Sequence, residues 1–350
     1  KMSKSKGNVV DPMVKIDQFG SDAFRMGIIS DETPGSYRPY DESKLVGARN
    51  FCNKLWNIAR YIEDAVGEET DRAGVHPRSA ADHWILSRLD RASQTVFAHL
   101  DSYRFSEAYE TLYHFVWDDV ADWFVEASKA APNKPLLAFI LEAALTLAHP
   151  FAPFLTETIW QTLAWEGLPA EASVLRSTTK DESAKAGDSL LATRTFASVP
   201  KYDSKHVKDF TEIQSIIGEI RSIVNTLRVS GVTLYHTGVP FLNDNAELIK
   251  RLAKLQGVTE VKDGDGMYLT NTEYRCWLDI DAGTARAYLK ELDAQKTAQE
   301  AAIKRLESRL ANKNYVKNAP RAVVAQTKDQ LAAAKGQLEK IWQEYKRFNQ

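Results

Sequence analysis

The sequence predicts a mainly α protein that consists of an antiparallel helix bundle, a small α+β unit and a C-terminal antiparallel coiled-coil hairpin. Three observations lead to this fold class. Apolar residues recur three and four positions apart from about residue 42 to residue 163, as they do on the buried face of amphipathic helices. Short apolar runs replace that pattern between residues 231 and 283. A seven-residue apolar repeat then occupies the end of the chain.

The first predicted segment is residues 1–41. It opens with Lys-Met-Ser-Lys-Ser-Lys-Gly-Asn, whose ammonium groups, hydroxyls and backbone N–H donors are suited to wrapping a phosphate. Asp11 is predicted to cap a helix that has Pro12 at its first position, and Ser21 is predicted to cap a second helix. Because no initiator methionine precedes Lys1, we expect this sequence to be part of a longer protein.

The helix bundle is predicted for residues 42–165. Its helical stretches alternate with short breaks, and such lengths and connections are typical of antiparallel bundles. The apolar positions that define the stretches lie at 46–62, 85–100, 105–124 and 137–145. Residues 166–204 lose this periodicity and become rich in Ser, Thr, Ala, Lys and Asp, which predicts a surface linker.

The next predicted domain is residues 205–283, a long helix followed by the small α+β unit. The helix is expected from about 207 to 229 because its apolar residues lie on one face. Three short apolar runs then surround a further helix near 247–255, and they predict strands. These runs occupy residues 232–235, 258–261 and 276–280.

Residues 284–350 are predicted to form the coiled-coil arm. Val324, Leu331, Leu338 and Tyr345 are spaced by seven, and a second row follows three places after each of them. A short turn around Pro320 requires the two helices to fold back on each other. The segment contains 14 Lys and Arg residues and 7 Asp and Glu residues, a net charge of +7 that leaves −9 on residues 1–283. The arm is therefore basic and the remainder of the chain acidic.

The composition excludes several classes of protein. The net charge of −2 gives no overall nucleic-acid signature, and no apolar run is long enough to span a membrane. Cys52 and Cys276 stand alone, which indicates neither a disulfide framework nor a thiolate metal site. The histidines form no HExxH pair, and no metal ligand is predicted. A cytoplasmic protein is the expectation.

The opening Lys-Met-Ser-Lys-Ser motif and the following Gly-Asn-Val-Val-Asp-Pro run resemble the signature loop of class I aminoacyl-tRNA synthetases. This resemblance implies that the loop closes over ATP and stabilises the leaving pyrophosphate when the amino acid is adenylated. Lys4 is the first choice and Lys1 the second for a catalytic contact with the triphosphate. Ser3 and Ser5 are candidate ATP-binding residues with an equally plausible structural role. A lysine-rich surface loop is the alternative interpretation of this motif.

The helix that contains Asn-Lys-Leu-Trp-Asn resembles the start of the anticodon-binding bundle in the valine, leucine and isoleucine subgroup of this family. Its polar residues are suited to unstacked RNA bases, although a solvated helix face is the alternative. The candidate tRNA-binding residues are Arg49, Asn53, Lys54, Asn57, Arg60 and Tyr61. Phe51, Leu55 and Trp56 are predicted to be core residues.

Two further patterns match the same bundle. Four carboxylates lie between Trp117 and Glu126, and they are predicted to serve helix packing and polar pairing rather than acid–base or metal chemistry. The run His149-Pro-Phe-Ala-Pro-Phe154 is predicted to be a buried turn and not to contain a catalytic histidine.

The C-terminal arm decides the subgroup. A hairpin coil after a small α+β unit resembles the ending of valyl-tRNA synthetases, whereas the isoleucine enzymes commonly end in a cysteine-rich zinc module. A basic coil is also suited to phosphate contact, although solvated charge on a coil exterior is the alternative. The candidate tRNA-binding residues of the arm are Arg305, Arg309, Lys313, Lys317 and Arg321.

The resemblance therefore implies the C-terminal part of a valine–tRNA ligase, which attaches valine to tRNA-Val with ATP and Mg²⁺. The full-length enzyme would bind ATP and valine in an upstream catalytic half, and this part would bind no cofactor through its own ligands and be inactive in adenylation. A monomer is expected. The alternatives are a stand-alone tRNA-binding module, the corresponding part of an isoleucyl or leucyl enzyme, and an oligomerisation coil.

Overall fold

A computed structural model gives the fold in two compact units, which extend from residue 1 to 211 and from residue 212 to 350. The structure describes residues 10–30, 40–67, 75–129, 131–163, 175–176, 190–196, 198–312 and 321–348. Within these residues, every helix is too short or too polar to cross a membrane.

The first unit contains the helices predicted for the bundle together with two helices from residues 1–41, and the mainly α fold class is confirmed. A π-helix over Phe115–Phe124 interrupts the third predicted helix, a feature that an apolar period of three and four does not reveal. The helices are α1 (Pro12–Phe19), α2 (Ser21–Ile29), α3 (Glu42–Val66), α4 (Ala80–Asp101), α5 (Phe105–His114), α6 (Val125–Ser128), α7 (Lys134–Ala148) and α8 (Pro153–Thr162).

Side-chain caps fix where several helices begin. The Met13 backbone N–H donates to Asp11 Oδ1 at 2.9 Å, and Pro12 occupies the first helical position, as the sequence predicts. Asp41 accepts a hydrogen bond from the Ser43 N–H in the same way at the start of α3. The predicted Ser21 cap is wrong, because Gly20 holds the cap position of α2 and Ser21 is already inside the helix.

The core of this unit lies around α7, which is buried along almost its whole length. Helix α3 presents Phe51 and Leu55 to this core, and both side chains are fully buried, as predicted. Phe115 and Phe124 are buried at the two ends of the π-helix. Burial of such aromatic and aliphatic side chains supplies the main favourable free energy for a bundle of this size.

Residues 190–196 and 198–203, within the stretch predicted to be a surface linker, make contacts with the bundle. Leu191 is buried, and its N–H donates to Glu157 at 3.0 Å. The Arg194 guanidinium lies 4.2 Å from the centre of the Trp160 ring and donates to the buried Glu142 carboxylate. A two-residue strand pair, β1 (Leu175–Arg176) with β2 (Thr195–Phe196), joins the two parts of the predicted linker that the structure describes.

The second unit begins within α9 and contains a four-stranded sheet with strand order β4-β3-β6-β5. Strands β3 and β4 are parallel, and the other neighbours are antiparallel. Leu234 pairs with Leu278 and His236 with Cys276, and all four side chains are buried. The elements are α9 (Ser204–Leu227), β3 (Thr233–His236), α10 (Pro240–Asp244), α11 (Ala246–Ala253), β4 (Gly257–Glu260), β5 (Met267–Tyr268) and β6 (Cys276–Leu278).

Two long helices, α12 (Ala282–Ala311) and α13 (Arg321–Phe348), pack along each other as the predicted hairpin. The buried seam contains Leu292, Ile303, Thr327 and Ala334. Thr327 and Ala334 belong to the second row of the predicted heptad repeat. Gln299 interrupts the apolar seam and donates from Nε2 to the Ala334 carbonyl at 3.2 Å. A polar residue inside such a seam favours one register of the two helices.

Candidate nucleic-acid interface

Helix α3 exposes a polar face on the bundle. Arg49, Asn53, Asn57 and Arg60 are all exposed and follow one another at helical spacing. Trp56 lies among them and is 37% exposed, so its predicted place in the core is wrong. An exposed indole flanked by amide and guanidinium groups can stack on an unpaired base and hydrogen-bond its edges.

Two of the predicted α3 residues are engaged within the bundle. Lys54 Nζ donates to Asp122 Oδ1 at 3.0 Å and lies 5.0 Å from the centre of the Trp117 ring. The Tyr61 hydroxyl lies 3.0 Å from Ser128 Oγ. These contacts join α3 to the π-helix and to α6, so both side chains position the exposed face.

Arg49 lies beside the end of α1. Its guanidinium carbon is 5.4 Å from the centre of the Phe19 ring, and the side chain remains exposed to solvent. The ring limits the conformations of the guanidinium through a cation–π contact. Arg49 is thereby held at one end of the polar face.

The carboxylates of the π-helix are paired. Arg88 Nε donates to Asp119 Oδ2 at 2.8 Å, and burial raises the pKa of the Asp119 carboxyl, opposed by the hydrogen bond from Arg88. Asp118 lies 2.7 Å from His114 Nδ1, and Asp122 accepts from Lys54. These contacts agree with the predicted role in helix packing and polar pairing.

The turn that begins at His149 connects the bundle to α2. Asp22 accepts a hydrogen bond from the Leu155 N–H at 2.6 Å, and Arg25 donates to the Pro150 carbonyl at 3.1 Å. His149 Nδ1 lies 2.9 Å from Thr156 Oγ1, and burial lowers the pKa of its imidazole. His149 is thus a half-buried turn residue, and the segment that follows the Lys-Met-Ser-Lys-Ser loop is anchored to the bundle.

The arm presents Arg305 and Arg309 on the exposed side of α12, one helical turn apart. A basic aromatic cluster, which the heptad pattern did not reveal, lies farther along the hairpin. Trp342 is 42% exposed, and the ammonium groups of Lys296 and Lys346 lie 5.0 and 5.4 Å from its ring centre. The only sequence signal for it is a tryptophan next to a seam position.

Several predicted site residues lie outside the described part of the chain. They are Lys1, Ser3, Lys4 and Ser5 at the start of the sequence and Lys313 and Lys317 between the two arm helices. Arg321 begins α13, but its side chain also lies outside the described part. Their roles remain predictions.

Metal and thiol chemistry find no support among the described residues. No group of three His, Cys, Asp or Glu side chains there is arranged to hold a metal ion. Burial raises the pKa of the Cys52 thiol and of the Cys276 thiol to about 12, so neither is a thiolate near neutral pH.

Two family models match this chain. One is described as the anticodon-binding domain of tRNA ligase and matches residues 82–232. The other is described as the valyl tRNA synthetase tRNA binding arm and matches residues 279–349. The first region includes α4 to α9, and the second includes both helices of the arm.

Similar curated proteins are valine–tRNA ligases. That of Thermotoga maritima is 29% identical over 360 residues, which cover 97% of this chain and 39% of the relative. That of Nitratiruptor sp. is 30% identical over 355 residues, 99% of this chain and 39% of the relative. That of Geobacillus kaustophilus is 41% identical over 181 residues, 48% of this chain and 20% of the relative. The chain thus spans about two fifths of the length of relatives that match it throughout.

Solved structures give a weaker likeness. A LeuRS of Agrobacterium radiobacter K84 has 17% identity and a TM-score of 0.41, covering 68% of this chain and 24% of that chain. A methionyl-tRNA synthetase of Mycobacterium tuberculosis has 22% identity and a TM-score of 0.40, covering 58% of this chain and 41% of that chain. The two family models and the curated relatives, and not these structures, carry the comparison: the chain is similar to the C-terminal portion of valine–tRNA ligases, and it contains regions that match an anticodon-binding domain and a valyl-tRNA synthetase tRNA-binding arm.

Proposed function

We propose that this chain is the tRNA-binding part of a valine–tRNA ligase, an enzyme that uses ATP and Mg²⁺ to attach valine to tRNA-Val. The bundle binds the anticodon, the arm binds the body of the tRNA, and the Lys-Met-Ser-Lys-Ser loop closes over ATP. The two family matches and the similarity to valine–tRNA ligases support this assignment. A monomer in the cytoplasm is part of the same proposal.

The observation that carries the proposal is the exposed Trp56 on the polar face of α3. A tryptophan on a solvated helix face stabilises the folded chain less than one in the core, because much of its apolar surface stays in water. Asn53, Asn57 and Arg60 surround it with donors and acceptors. This combination favours unpaired bases, such as those of an anticodon loop, over a double helix.

The arm supplies the sequence-independent part of the binding. Its net charge of +7 contrasts with −9 on the rest of the chain, so the phosphate backbone is attracted to the arm rather than to the acidic bundle. Arg305 and Arg309 are exposed, and Lys313, Lys317 and Arg321 follow them in the sequence.

In the opening loop, Lys4 and Lys1 would contact the triphosphate, and Ser3 and Ser5 would donate to its oxygens. These cations would stabilise the charge that develops on the leaving pyrophosphate. The magnesium ion would be held by the phosphates and not by ligands of this chain. We expect no valine-dependent ATP–pyrophosphate exchange from this chain by itself.

Filter binding of labelled tRNA-Val and of another tRNA tests the proposal. Trp56→Ala should weaken binding of tRNA-Val about 5- to 150-fold, because one base–aromatic stack contributes about 1–3 kcal/mol. Phe154→Ala is the matched control, since Phe154 is 63% exposed on α8 and has no predicted role in RNA binding. Equal losses in the two variants, or no preference for tRNA-Val, would contradict the proposed anticodon site.

The alternatives predict other results. A stand-alone tRNA-binding module would bind tRNA-Val in the same way. In that case, a longer protein that contains this chain would show no aminoacylation activity. An isoleucyl or leucyl enzyme part would prefer its own tRNA in the filter assay. An oligomerisation coil would give a dimer or larger species by light scattering and no steep salt dependence of tRNA affinity.

A further inference from the structure

Two exposed cations in the second unit occupy backbone positions that favour glycine. Among the described residues, three non-glycine residues have φ in the left-handed region: Tyr103 at 57°, Arg228 at 52° and Lys254 at 55°. The last two directly follow the ends of α9 and α11. A side chain with a Cβ atom is disfavoured in this conformation, and glycine is the usual residue there.

Each of the three residues lies in a helix-terminating motif of the same type. The Val229 N–H donates to the Val224 carbonyl at 3.2 Å, and the Leu255 N–H donates to the Lys250 carbonyl at 2.8 Å. The Arg104 N–H donates to the His99 carbonyl in the same six-to-one pattern beyond Tyr103. This pattern defines the Schellman motif, whose left-handed position most often holds glycine. The backbone geometry therefore does not explain why cations stand at 228 and 254.

Packing does not explain them either. Arg228 and Lys254 are both exposed. Within the part of the chain that the structure describes, neither charged group has a hydrogen-bond or ion-pair partner. Non-glycine residues in sparsely populated backbone conformations are found preferentially at functional sites.

Further cations lie near them. Arg221 of α9 donates from Nε and Nη2 to the Leu252 carbonyl at 3.0 and 2.7 Å, which places its guanidinium at the last turn of α11. Lys250 and Arg251 belong to that turn. Positive charge at a helix C-terminus is stabilising, and this applies to all five cations. The argument rests on Arg228 and Lys254 because these two also have a left-handed φ.

The two helix ends also lie close together. The Gln256 N–H donates to the Val232 carbonyl at 2.8 Å, so the segment that follows Lys254 meets the segment that follows Arg228. Residues 220–231 and 249–258 together contain five Lys and Arg residues and no Asp or Glu. The neighbouring Glu219 is buried, and its carboxylate accepts from the N–H groups of Thr270 and Asn271. The two segments form a basic surface in a chain whose first 283 residues have a net charge of −9.

We propose that Arg228 and Lys254, with the three neighbouring cations, form a second phosphate-binding surface that contacts the backbone of the bound RNA outside the arm. The inference deepens the proposed function and rests on it. Lys250, Arg251 and Lys254 lie outside both matched family models, whereas Arg221 and Arg228 lie near the end of the region that the anticodon-binding model matches. Sequence-independent phosphate contact suits this surface because its five cations are groups that bind phosphate oxygens.

The test is the salt dependence of tRNA binding by the full chain carrying Arg228→Gly and Lys254→Gly together. The glycines should leave the melting temperature unchanged or raise it, because they fit the left-handed φ. The slope of log affinity against log salt concentration should become shallower by about 1.5, because each lost phosphate contact contributes about 0.7–0.9 to that slope. Tyr103→Gly is the matched control, since it makes the same backbone change without removing a charge, and it should leave the slope unaltered.

An unaltered slope and affinity in the double variant would overturn the second surface while leaving the proposed function intact. Failure of the unsubstituted chain to bind any tRNA would overturn both. If the glycine pair lowers the melting temperature, the pair Arg228→Asn and Lys254→Asn decides, because asparagine also tolerates the left-handed region. A shallower slope in that pair supports the proposal, and the original slope rejects it.

Discussion

Replacement of Arg88 by methionine tests how the bundle holds a charge near its interior. The Asp119 side chain is 11% exposed and that of Arg88 is 40% exposed. Loss of the partner of a fully buried charge costs about 3–5 kcal/mol, whereas a solvent-exposed pair contributes about 0–1 kcal/mol. Because solvent screens the Arg88 side of this pair, we expect Arg88→Met to lower the free energy of unfolding by about 2 kcal/mol at pH 7.

The loss should depend on pH. Burial raises the pKa of the Asp119 carboxyl, and Arg88 opposes that rise. A carboxyl whose folded-state pKa is raised favours folding below its unfolded pKa, and this contribution is lost as pH rises through the folded pKa. Without Arg88 the pKa rises further, so the variant should lose most stability near pH 7 and less near pH 4. Asp118 and His114 act on the Asp119 carboxyl in both proteins, so their influence largely cancels in the difference.

Urea unfolding followed by circular dichroism at pH 7 and pH 4 measures this difference. Arg91→Met is the control, because Arg91 is exposed on the same helix and its replacement should change stability by less than about 0.5 kcal/mol. Asp119→Asn in the Arg88→Met background should recover part of the loss at pH 7, since it removes the unpaired charge. A loss that is below about 0.5 kcal/mol, or the same at both pH values, would refute the reasoning.

Two further predictions concern the second unit and the thiols. Glu219→Ala should lower the free energy of unfolding in urea by about 3 kcal/mol, because the N–H groups of Thr270 and Asn271 both lose the Glu219 carboxylate as their acceptor. A decrease below about 1 kcal/mol would contradict the assigned role of Glu219. Cys52 and Cys276 should react very slowly with a thiol reagent at pH 8, since a pKa of about 12 leaves roughly one thiolate in ten thousand. Rapid reaction of either thiol before unfolding in guanidinium would show that its burial is overestimated.

The helical parts of the fold could be predicted because their signals are local. Apolar spacing identified the bundle helices, Asp11 and Pro12 marked the start of α1, and the heptad repeat placed Thr327 and Ala334 in the arm seam. Each signal depends on residues within one or two helical turns, a range over which backbone geometry alone decides which side chains share a face.

Trp56 shows where hydrophobicity misleads. The buried positions of α3 include 51, 55, 58 and 62, which follow the helical period, and position 56 falls outside that row. The helical period therefore indicated an exposed position 56. The prediction placed Trp56 in the core because tryptophan is a large apolar residue. Asn53, Asn57 and Arg60 were identified as candidates from the same helix, and their common exposure supports their proposed role.

The sequence by itself determined the fold class, the basic arm and the candidate residues of α3, because spacing and charge are written along the chain. Only the tertiary structure decided that Lys54 and Tyr61 join α3 to its neighbours, that Leu191 contacts the bundle, and that Arg228 and Lys254 take a left-handed backbone at two helix ends. These features depend on partners distant in sequence or on φ at a single residue. Neither leaves a periodic pattern, so packing in three dimensions is what fixes them.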